Sequence, residues 1–120
     1  MKNIVTTDKA PQPIGPYNQA VLVGNTLYTS GQIALHPKTG ELVMDSIEEE
    51  TTQVMKNLEA VLEAADMTFE NVIKASIFIS DMNSFSAINS VYGQYFEEAT
   101  APARETVEVA NLPKFVNVEI

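Results

Sequence analysis

The stretch SIEEETTQVMKNLEAVLEAA, residues 46–65, carries the strongest local signal in this 120-residue chain. Ser46 followed by Glu49 matches a capping box, and a run of glutamates suits the positive end of a helix dipole. Apolar side chains recur every three or four residues, as in an amphipathic helix. The buried stripe would consist of Ile47, Val54, Met55, Leu58, Val61, Leu62 and Ala65. We predict a helix over 46–65 that ends at Asp66 in a left-handed conformation.

Segments before this helix have the pattern of strands and turns. Ala20–Val23 and Thr26–Ile33 are apolar runs separated by Gly24-Asn25, a hairpin signal in which glycine supplies the positive φ of a type II′ turn. The proline-rich window 11–16 predicts a stiff, extended loop. Residues 36–40 (HPKTG) read as a turn.

Segments after the helix add three strands and a second helix. Val72–Ser80 alternates as a strand, and a helix begins at about Ser84 and stops before Pro102. Arg104–Ala110 and Phe115–Ile120 are two further strands, split by the turn-like residues 111–114. One face of the strand 72–80 would carry Ile73, Ala75, Ile77 and Ile79. The order β-β-α-β-α-β-β, with hairpin-like first and last connections, predicts an α+β fold with a mixed, largely antiparallel sheet.

Two helices can cover only one face of this sheet. The other face would carry Leu27 or Tyr28, Phe78, and Val107 or Val109. A monomer rarely exposes an apolar patch of that size. We therefore expect a homo-oligomer that buries the second face.

Composition narrows the class of protein. The length fits one domain, residues 1–120. With 7 basic and 16 acidic side chains, the net charge of −9 argues against binding to nucleic acid, which requires clustered lysine and arginine. The absence of cysteine excludes disulfides and thiolate metal sites. No signal-peptide pattern and no membrane-spanning run is present, so we expect a cytoplasmic protein.

Arg104 and Glu119 are the main candidates for chemistry. Arg104 begins a strand, with Thr106 on the same face, and could clamp a carboxylate with its planar fork. It could equally form a surface ion pair with a nearby glutamate. Glu119 alternates with apolar residues, a pattern typical of exposure to solvent. If it is instead buried near the arginine, it could handle a proton.

Tyr17 and the pair Ser30-Gly31 are further candidates. Tyr17 lies at the exit of the stiff loop, where it could equally be a core residue. Gly31 lies inside a predicted strand, which indicates a bulge or a close approach by a ligand or another backbone segment.

Other chemistry has little support in the sequence. His36 precedes a proline in a polar turn and is expected to be a solvated loop residue. Glu48, Glu49 and Glu50 point in different directions from one helical turn, so we expect a solvated surface rather than a metal site. Neither glycine-rich nucleotide motif is present, and neither Ser-His-Asp nor HExxH patterns occur.

Four segments taken together closely resemble the RidA family, also called YjgF, of reactive-intermediate deaminases. Their order and spacing cover nearly the whole chain. They are Ile14–Tyr17 (IGPY), Thr29–Ile33 (TSGQI), Pro102–Glu105 (PARE) and Val107–Ala110 (VEVA) with Leu112–Lys114 (LPK).

The resemblance implies a chorismate-mutase-like subunit in a homotrimer with a central barrel and sites between subunits. It implies hydrolysis of short 2-imino acids, such as 2-iminopropanoate and 2-iminobutanoate, to 2-keto acids and ammonia. These imines derive from enamines released by pyridoxal-phosphate-dependent dehydratases. No cofactor or metal is implied.

The resemblance also assigns roles to residues of this chain. Arg104 matches the arginine that binds the substrate carboxylate, and Glu119 matches the glutamate that activates water or moves a proton. The expected substrate contacts are Tyr17, Ser30, Gly31, Asn89 and Thr106. Thr106 replaces the cysteine of many members, whose backbone carbonyl is the group thought to act.

Two alternatives remain at this stage. A trimer could bind small metabolites such as keto acids in the Arg104 cleft without turning them over. A ribonuclease or translation-inhibitor role is sometimes attached to the family, but the charge of −9 disfavours it.

Overall fold

The computed structural model describes all residues 1–120 as two helices and six strands. The strands are β1 (Lys2–Val5), β2 (Ala20–Val23), β3 (Thr26–Thr29), β4 (Lys74–Ile79), β5 (Ala103–Glu108) and β6 (Val118–Glu119). The helices are α1 (Ile47–Ala64) and α2 (Phe85–Gly93). The α+β class is confirmed, and β1 is the one strand that the sequence pattern did not predict.

The strands form two three-stranded halves that meet at the middle of the sheet. β1, β2 and β3 pair in order and antiparallel, while β4 lies between β5, to which it is parallel, and β6, to which it is antiparallel. Gln32 N–H donates to the Ile120 carbonyl at 2.9 Å, and Ile120 N–H donates back at 3.2 Å. This reciprocal pair joins the halves into one layer.

The last connection is not a hairpin, contrary to the prediction. β5 and β6 flank β4 instead of pairing with each other, so residues 109–117 must pass across the end of β4. A short 3₁₀ turn at Pro113–Phe115 makes the bend, with Lys114 and Phe115 both at positive φ. The sequence suggested a hairpin because two strand-like segments are separated by a short turn. Such spacing does not determine which strand the returning segment pairs with.

The main core lies between the sheet and both helices. Buried side chains from β4, α1, α2 and β6 meet in one cluster, so both helices cover the same face, as predicted. Its members are Ala34, Val54, Met55, Ile77, Ile79, Ile88, Tyr92 and Val118. Burial of this apolar area is the dominant favourable term in folding.

The opposite face of the sheet retains exposed apolar side chains. Tyr28 is 64% exposed and Val107 is 39% exposed, while Phe78 is half-buried. The register resolves the alternatives left open by the sequence, because Leu27 packs against the core instead of Tyr28. In the isolated chain, the second face of the sheet is therefore apolar and partly exposed.

Most local signals were interpreted correctly. The Ser46 hydroxyl accepts the Glu49 N–H at 3.0 Å, but Glu49 does not make the second bond of the predicted capping box. Asp66 ends the helix with φ 57°. Gly24 has φ 58°, as the predicted turn requires. The strand predicted over 26–33 breaks at Ser30-Gly31, where β3 has ended and pairing resumes at Gln32.

Two predicted placements were wrong. Glu50 was expected to be solvated with Glu48 and Glu49 but is fully buried, because the chain after the 3₁₀ turn packs over this turn of α1. Ile73 was placed on the core face but is 78% exposed, because β4 begins only at Lys74.

Gln19 holds the proline-rich loop against the sheet. Its side-chain amide donates to the carbonyls of Thr7, Ala10 and Pro11 and accepts the Thr7 N–H at 2.7 Å. These side-chain hydrogen bonds take the place of strand-to-strand backbone bonds in this loop, because its prolines have no N–H to donate. They fix the loop that presents Tyr17.

No helix in the chain has the length and hydropathy needed to cross a membrane.

Candidate functional site

Arg104 is held in place by α2. Its guanidinium donates to Asn89 Oδ1 at 2.6 Å and lies 5.6 Å from the centre of the Phe85 ring and 5.1 Å from that of Tyr92. These three residues follow the i, i+4, i+7 spacing of one helix face. A cation over two aromatic faces and one amide oxygen is oriented without being neutralised.

No carboxylate pairs with Arg104. The adjacent Glu105 instead bonds to Lys74 at 2.8 Å and to the Ser76 hydroxyl, which lowers the pKa of Glu105. The alternative of a surface ion pair between Arg104 and a nearby glutamate is therefore wrong. Of five guanidinium N–H donors, most remain available to an anion.

Two unsatisfied hydroxyls belong to residues around Arg104. Thr106 Oγ1 and Tyr92 Oη are buried and make no hydrogen bond. Burial raises the pKa of Tyr92, with the positive charge of Arg104 acting in the opposite direction, so the phenol stays neutral at physiological pH. Buried hydroxyls usually have partners, so these two oxygens are exceptions in the isolated chain.

Glu119 approaches the backbone where β3 has ended. A Cβ on Gly31 would lie 3.0 Å from both the Cδ and Oε2 atoms of Glu119, so only glycine permits the observed contact. Another group does approach Gly31 closely, but it is this side-chain carboxyl and not the ligand or backbone segment that was predicted. No group in the chain donates a hydrogen bond to it, and burial raises its pKa. The expectation of simple solvent exposure for Glu119 is wrong.

A cavity of about 100 Å³ adjoins this carboxyl. Tyr17, Gly31, Lys114 and Glu119 contribute to its lining. Tyr17 is half exposed, and its hydroxyl accepts the Ile14 N–H at 3.4 Å, so it is a surface residue and not a core residue. Ser30 lies beside this group, but its hydroxyl donates to the Asn18 carbonyl at 2.6 Å.

The structure thus forms two groups rather than one. The arginine group contains Asn89, Arg104 and Thr106, and the glutamate group contains Tyr17, Gly31 and Glu119. Arg104 pairs in register with Ala75, and Glu119 with Phe78. Because side chains alternate along β4, these two positions point to opposite faces of the sheet.

Within one chain the two groups cannot share a small ligand. They lie on strands two positions apart, roughly 10 Å laterally, in addition to facing opposite ways. A ligand of a few atoms that touches both requires the arginine group of one copy and the glutamate group of another.

His36 and the metal candidates lie outside both groups. His36 Nδ1 accepts the N–H groups of Lys38 and Thr39, so its ring closes the predicted turn. No cluster of three or more histidine, aspartate or glutamate side chains is arranged around a common point.

Sequence reasoning missed three residues that border these groups, namely Phe85, Tyr92 and Lys114. The second helix was predicted, but its sequence does not indicate that the rings of Phe85 and Tyr92 would lie beside Arg104. Lys114 lines the cavity from a backbone at positive φ, a conformation for which a lysine gives no sequence signal.

A family described as "Endoribonuclease L-PSP" matches residues 7–120. The chain belongs to the RidA (YjgF) family. A "RutC family protein" of Synechocystis is 53% identical over 98% of this chain and 91% of its own length. The "2-iminobutanoate/2-iminopropanoate deaminase" of Capra hircus is 48% identical over 100% of this chain and 87% of its own length.

A solved structure has the same fold. The crystal structure of TdcF from E. coli "with bound serine" is 42% identical, has a TM-score of 0.91, and covers 98% of this chain and 93% of that chain. Members of the family carry several different names, so membership alone does not identify a substrate.

Proposed function

We propose that this RidA-family chain hydrolyses short 2-imino acids to 2-keto acids and ammonia. The observation that carries the proposal is an oriented guanidinium without a carboxylate partner, Arg104, in a chain that also holds an unpaired, partly buried carboxyl, Glu119. Relatives of 48% identity over the full chain that are named 2-iminobutanoate/2-iminopropanoate deaminase support it.

Arg104 binds the substrate carboxylate. Two parallel N–H donors match the two carboxylate oxygens, and the Asn89 amide and the aromatic rings fix the plane of the fork. A bound carboxylate places the adjacent C=N carbon at a fixed distance from the guanidinium. Positioning of this kind supplies much of the acceleration in reactions that need no covalent nucleophile.

Glu119 handles the protons of the reaction. As a base it takes one proton from water while the oxygen bonds to the imine carbon, and the C=N bond becomes a C–N single bond. The carboxyl returns this proton to nitrogen, which gives a carbinolamine with one hydroxyl and one amino group. Glu119 then takes the hydroxyl proton and passes it to the same nitrogen, so that the C–N bond breaks, the C=O bond forms and ammonia leaves. A carboxylate whose pKa is raised by burial is a stronger base than a free one and can return the protons that it accepts. The imine carbon is already electrophilic, so the scheme calls for no cofactor or metal.

The remaining site residues shape this pocket. Tyr17 forms a wall of the glutamate group, Gly31 admits the carboxyl, and Ser30 offers its remaining lone pairs and backbone. In the arginine group, Asn89 orients the guanidinium, and Thr106 supplies its backbone.

The complete site forms between copies of a homotrimer, with three equivalent sites. Three features support this arrangement: the two groups face opposite sides of the sheet, β5 has one unpaired edge, and the uncovered face is apolar. An apolar sheet face and an open edge are features that proteins commonly cover by association.

The test couples the protein to a threonine dehydratase and follows the release of 2-ketobutyrate. Catalytic amounts of the protein should accelerate release well beyond spontaneous hydrolysis of the imine. Equal rates with and without the protein would reject the proposal.

A second candidate is binding of small amino or keto acids without turnover, which the serine-bound relative favours. Saturable binding of 2-ketobutyrate, lost in Arg104→Ala, together with no acceleration of imine hydrolysis would establish this candidate instead.

A further inference from the structure

Glu50 is a buried carboxylate that neither group of the candidate site contains. It is fully buried in the first turns of α1, and no lysine, arginine or histidine pairs with it. Buried carboxylates without a cation are costly unless hydrogen bonds replace their hydration. The hydrogen-bond partners of Glu50 therefore indicate its role in the fold.

Both oxygens of Glu50 bind a single residue, Asn117. Oε2 accepts the backbone N–H of Asn117 at 2.8 Å, and Oε1 accepts its side-chain amide, also at 2.8 Å. The Asn117 carbonyl accepts the Ser80 N–H at 3.0 Å, and its Oδ1 accepts the Ser80 hydroxyl at 3.3 Å. Asn117 is therefore fixed to α1 on one side and to the end of β4 on the other.

Glu119 lies two residues after this anchor, in the strand that also pairs with β4. Its carboxyl accepts no hydrogen bond in the chain, so only its backbone and the Gly31 wall locate it. That backbone belongs to β6, a strand of two residues that begins one residue after Asn117. The preceding turn has two consecutive residues at positive φ, a conformation that needs support from its surroundings.

We infer that Glu50 is a positioning residue, which fixes the Glu119 carboxyl in the site by clamping Asn117 through both of its carboxylate oxygens. This inference rests on the proposed function of Glu119. The Arg104 side of the site has no contact with this clamp, so binding of the substrate carboxylate should not depend on it.

The principal variant is Glu50→Gln, which conserves volume but can accept only one of the two Asn117 hydrogen bonds. Misplacement of a reacting group by a fraction of an ångström should lower kcat about tenfold or more, with KM changed less than about twofold. Adding Asn117→Asp restores a reciprocal pair. The new amide at position 50 can donate to the new carboxylate at position 117, while its carbonyl accepts the backbone N–H. The double variant should recover kcat to within about threefold of the original protein.

Thr51→Val is the matched control. Thr51 is the next residue, is equally buried, and donates only to the Ile47 carbonyl within the helix at 2.7 Å. It should lower Tm without altering kcat per folded protein. If Glu50→Gln does not fold, Asn117→Ala keeps the backbone bond to Glu50 and should give a smaller kcat loss at unchanged KM. Hydrogen exchange at the amides of 117–120 should accelerate in that variant.

Two results would overturn the inference. The first is an unchanged kcat per folded protein in Glu50→Gln, or in Asn117→Ala if Glu50→Gln does not fold. The second is a double variant that recovers the original Tm but not the original kcat. If the original protein fails to hydrolyse imines at all, the proposed function fails instead. The exchange rates at 117–120 then still report whether the clamp holds β6.

Discussion

Gly31→Ala separates activity from stability in this fold. Gly31 is not at positive φ, so its backbone accepts alanine without strain. The added Cβ would meet the Cγ, Cδ and Oε2 atoms of Glu119 at 3.1, 3.0 and 3.0 Å. Ordinary contacts between carbon atoms begin at about 3.5 Å, so the carboxyl must withdraw by roughly 0.5 Å or rotate away.

The two consequences differ in size. The displaced atoms are the far end of a flexible, partly exposed side chain, so the strain in the folded state is small. Alanine also stabilises by restricting the unfolded chain, by about 0.4–1 kcal/mol. The net change in the free energy of unfolding should lie within about 1 kcal/mol, which moves Tm by only a few degrees in a chain of this size. A shift of half an ångström at the proton-handling group should lower kcat by about tenfold or more.

The assay is the dehydratase-coupled release of 2-ketobutyrate, with thermal unfolding of the same samples. Gly93→Ala is the control, because a Cβ there meets nothing within 4 Å and the residue ends α2 far from Glu119 in sequence. It should keep full kcat. Full activity of Gly31→Ala would show that the position of the Glu119 carboxyl does not matter, and the proposed role of Glu119 would be wrong.

Three other perturbations test separate parts of the account. Arg104→Lys should lower kcat/KM by about a hundredfold, because a point charge cannot replace the planar fork, while Tm changes little; initial rates against substrate concentration measure this. Glu119→Gln should raise Tm relative to the original protein at pH 7, since burial raises the pKa of Glu119 in the folded state and makes its ionisation unfavourable there. By linkage, the Tm difference should vanish below about pH 4, because the carboxyl is then protonated in both the folded and the unfolded state. A Tm difference that does not change with pH would contradict this prediction. Tyr28→Asp places a charge on the apolar sheet face, where Tyr28 is 64% exposed in the isolated chain, and should yield folded, inactive monomers by light scattering; an active trimer would contradict the proposed use of that face.

The sequence predicted the elements that local patterns control. The helix over 46–65 has its cap, its stripe and its unusual stop at Asp66 within one continuous segment, and all three were found. Gly31 was informative for the same reason, because a glycine inside an apolar strand costs stability unless something requires the space.

Features that depend on distant segments could not be predicted in this way. The burial of Glu50 results from Asn117, 67 positions later. The pairing of β6 with β4 instead of β5 depends on the direction of a loop whose spacing resembled a hairpin. β1 was missed because its sequence, KNIV, is short and gains its ladder only by pairing with Ala20–Val23.

The candidate residues were found correctly as individuals, but their arrangement was not available from the pattern. Alternation placed Arg104 and Thr106 on one face of β5. The location of Glu119 on the opposite face of the sheet follows only from the registers at Ala75 and Phe78. That separation is the reason the account needs two copies of the chain for each site.

Mixed oligomers test this requirement most directly. The Arg104→Ala and Glu119→Gln variants should each be inactive when assayed alone. The two variants are then mixed 1:1, unfolded and refolded together. If each site takes its arginine from one copy and its glutamate from a neighbour, random assembly gives about a quarter of the sites both intact groups, and about a quarter of the original activity returns. Activity no greater than the sum of the two separate variants, in mixtures shown to contain both chains, would contradict a site shared between copies.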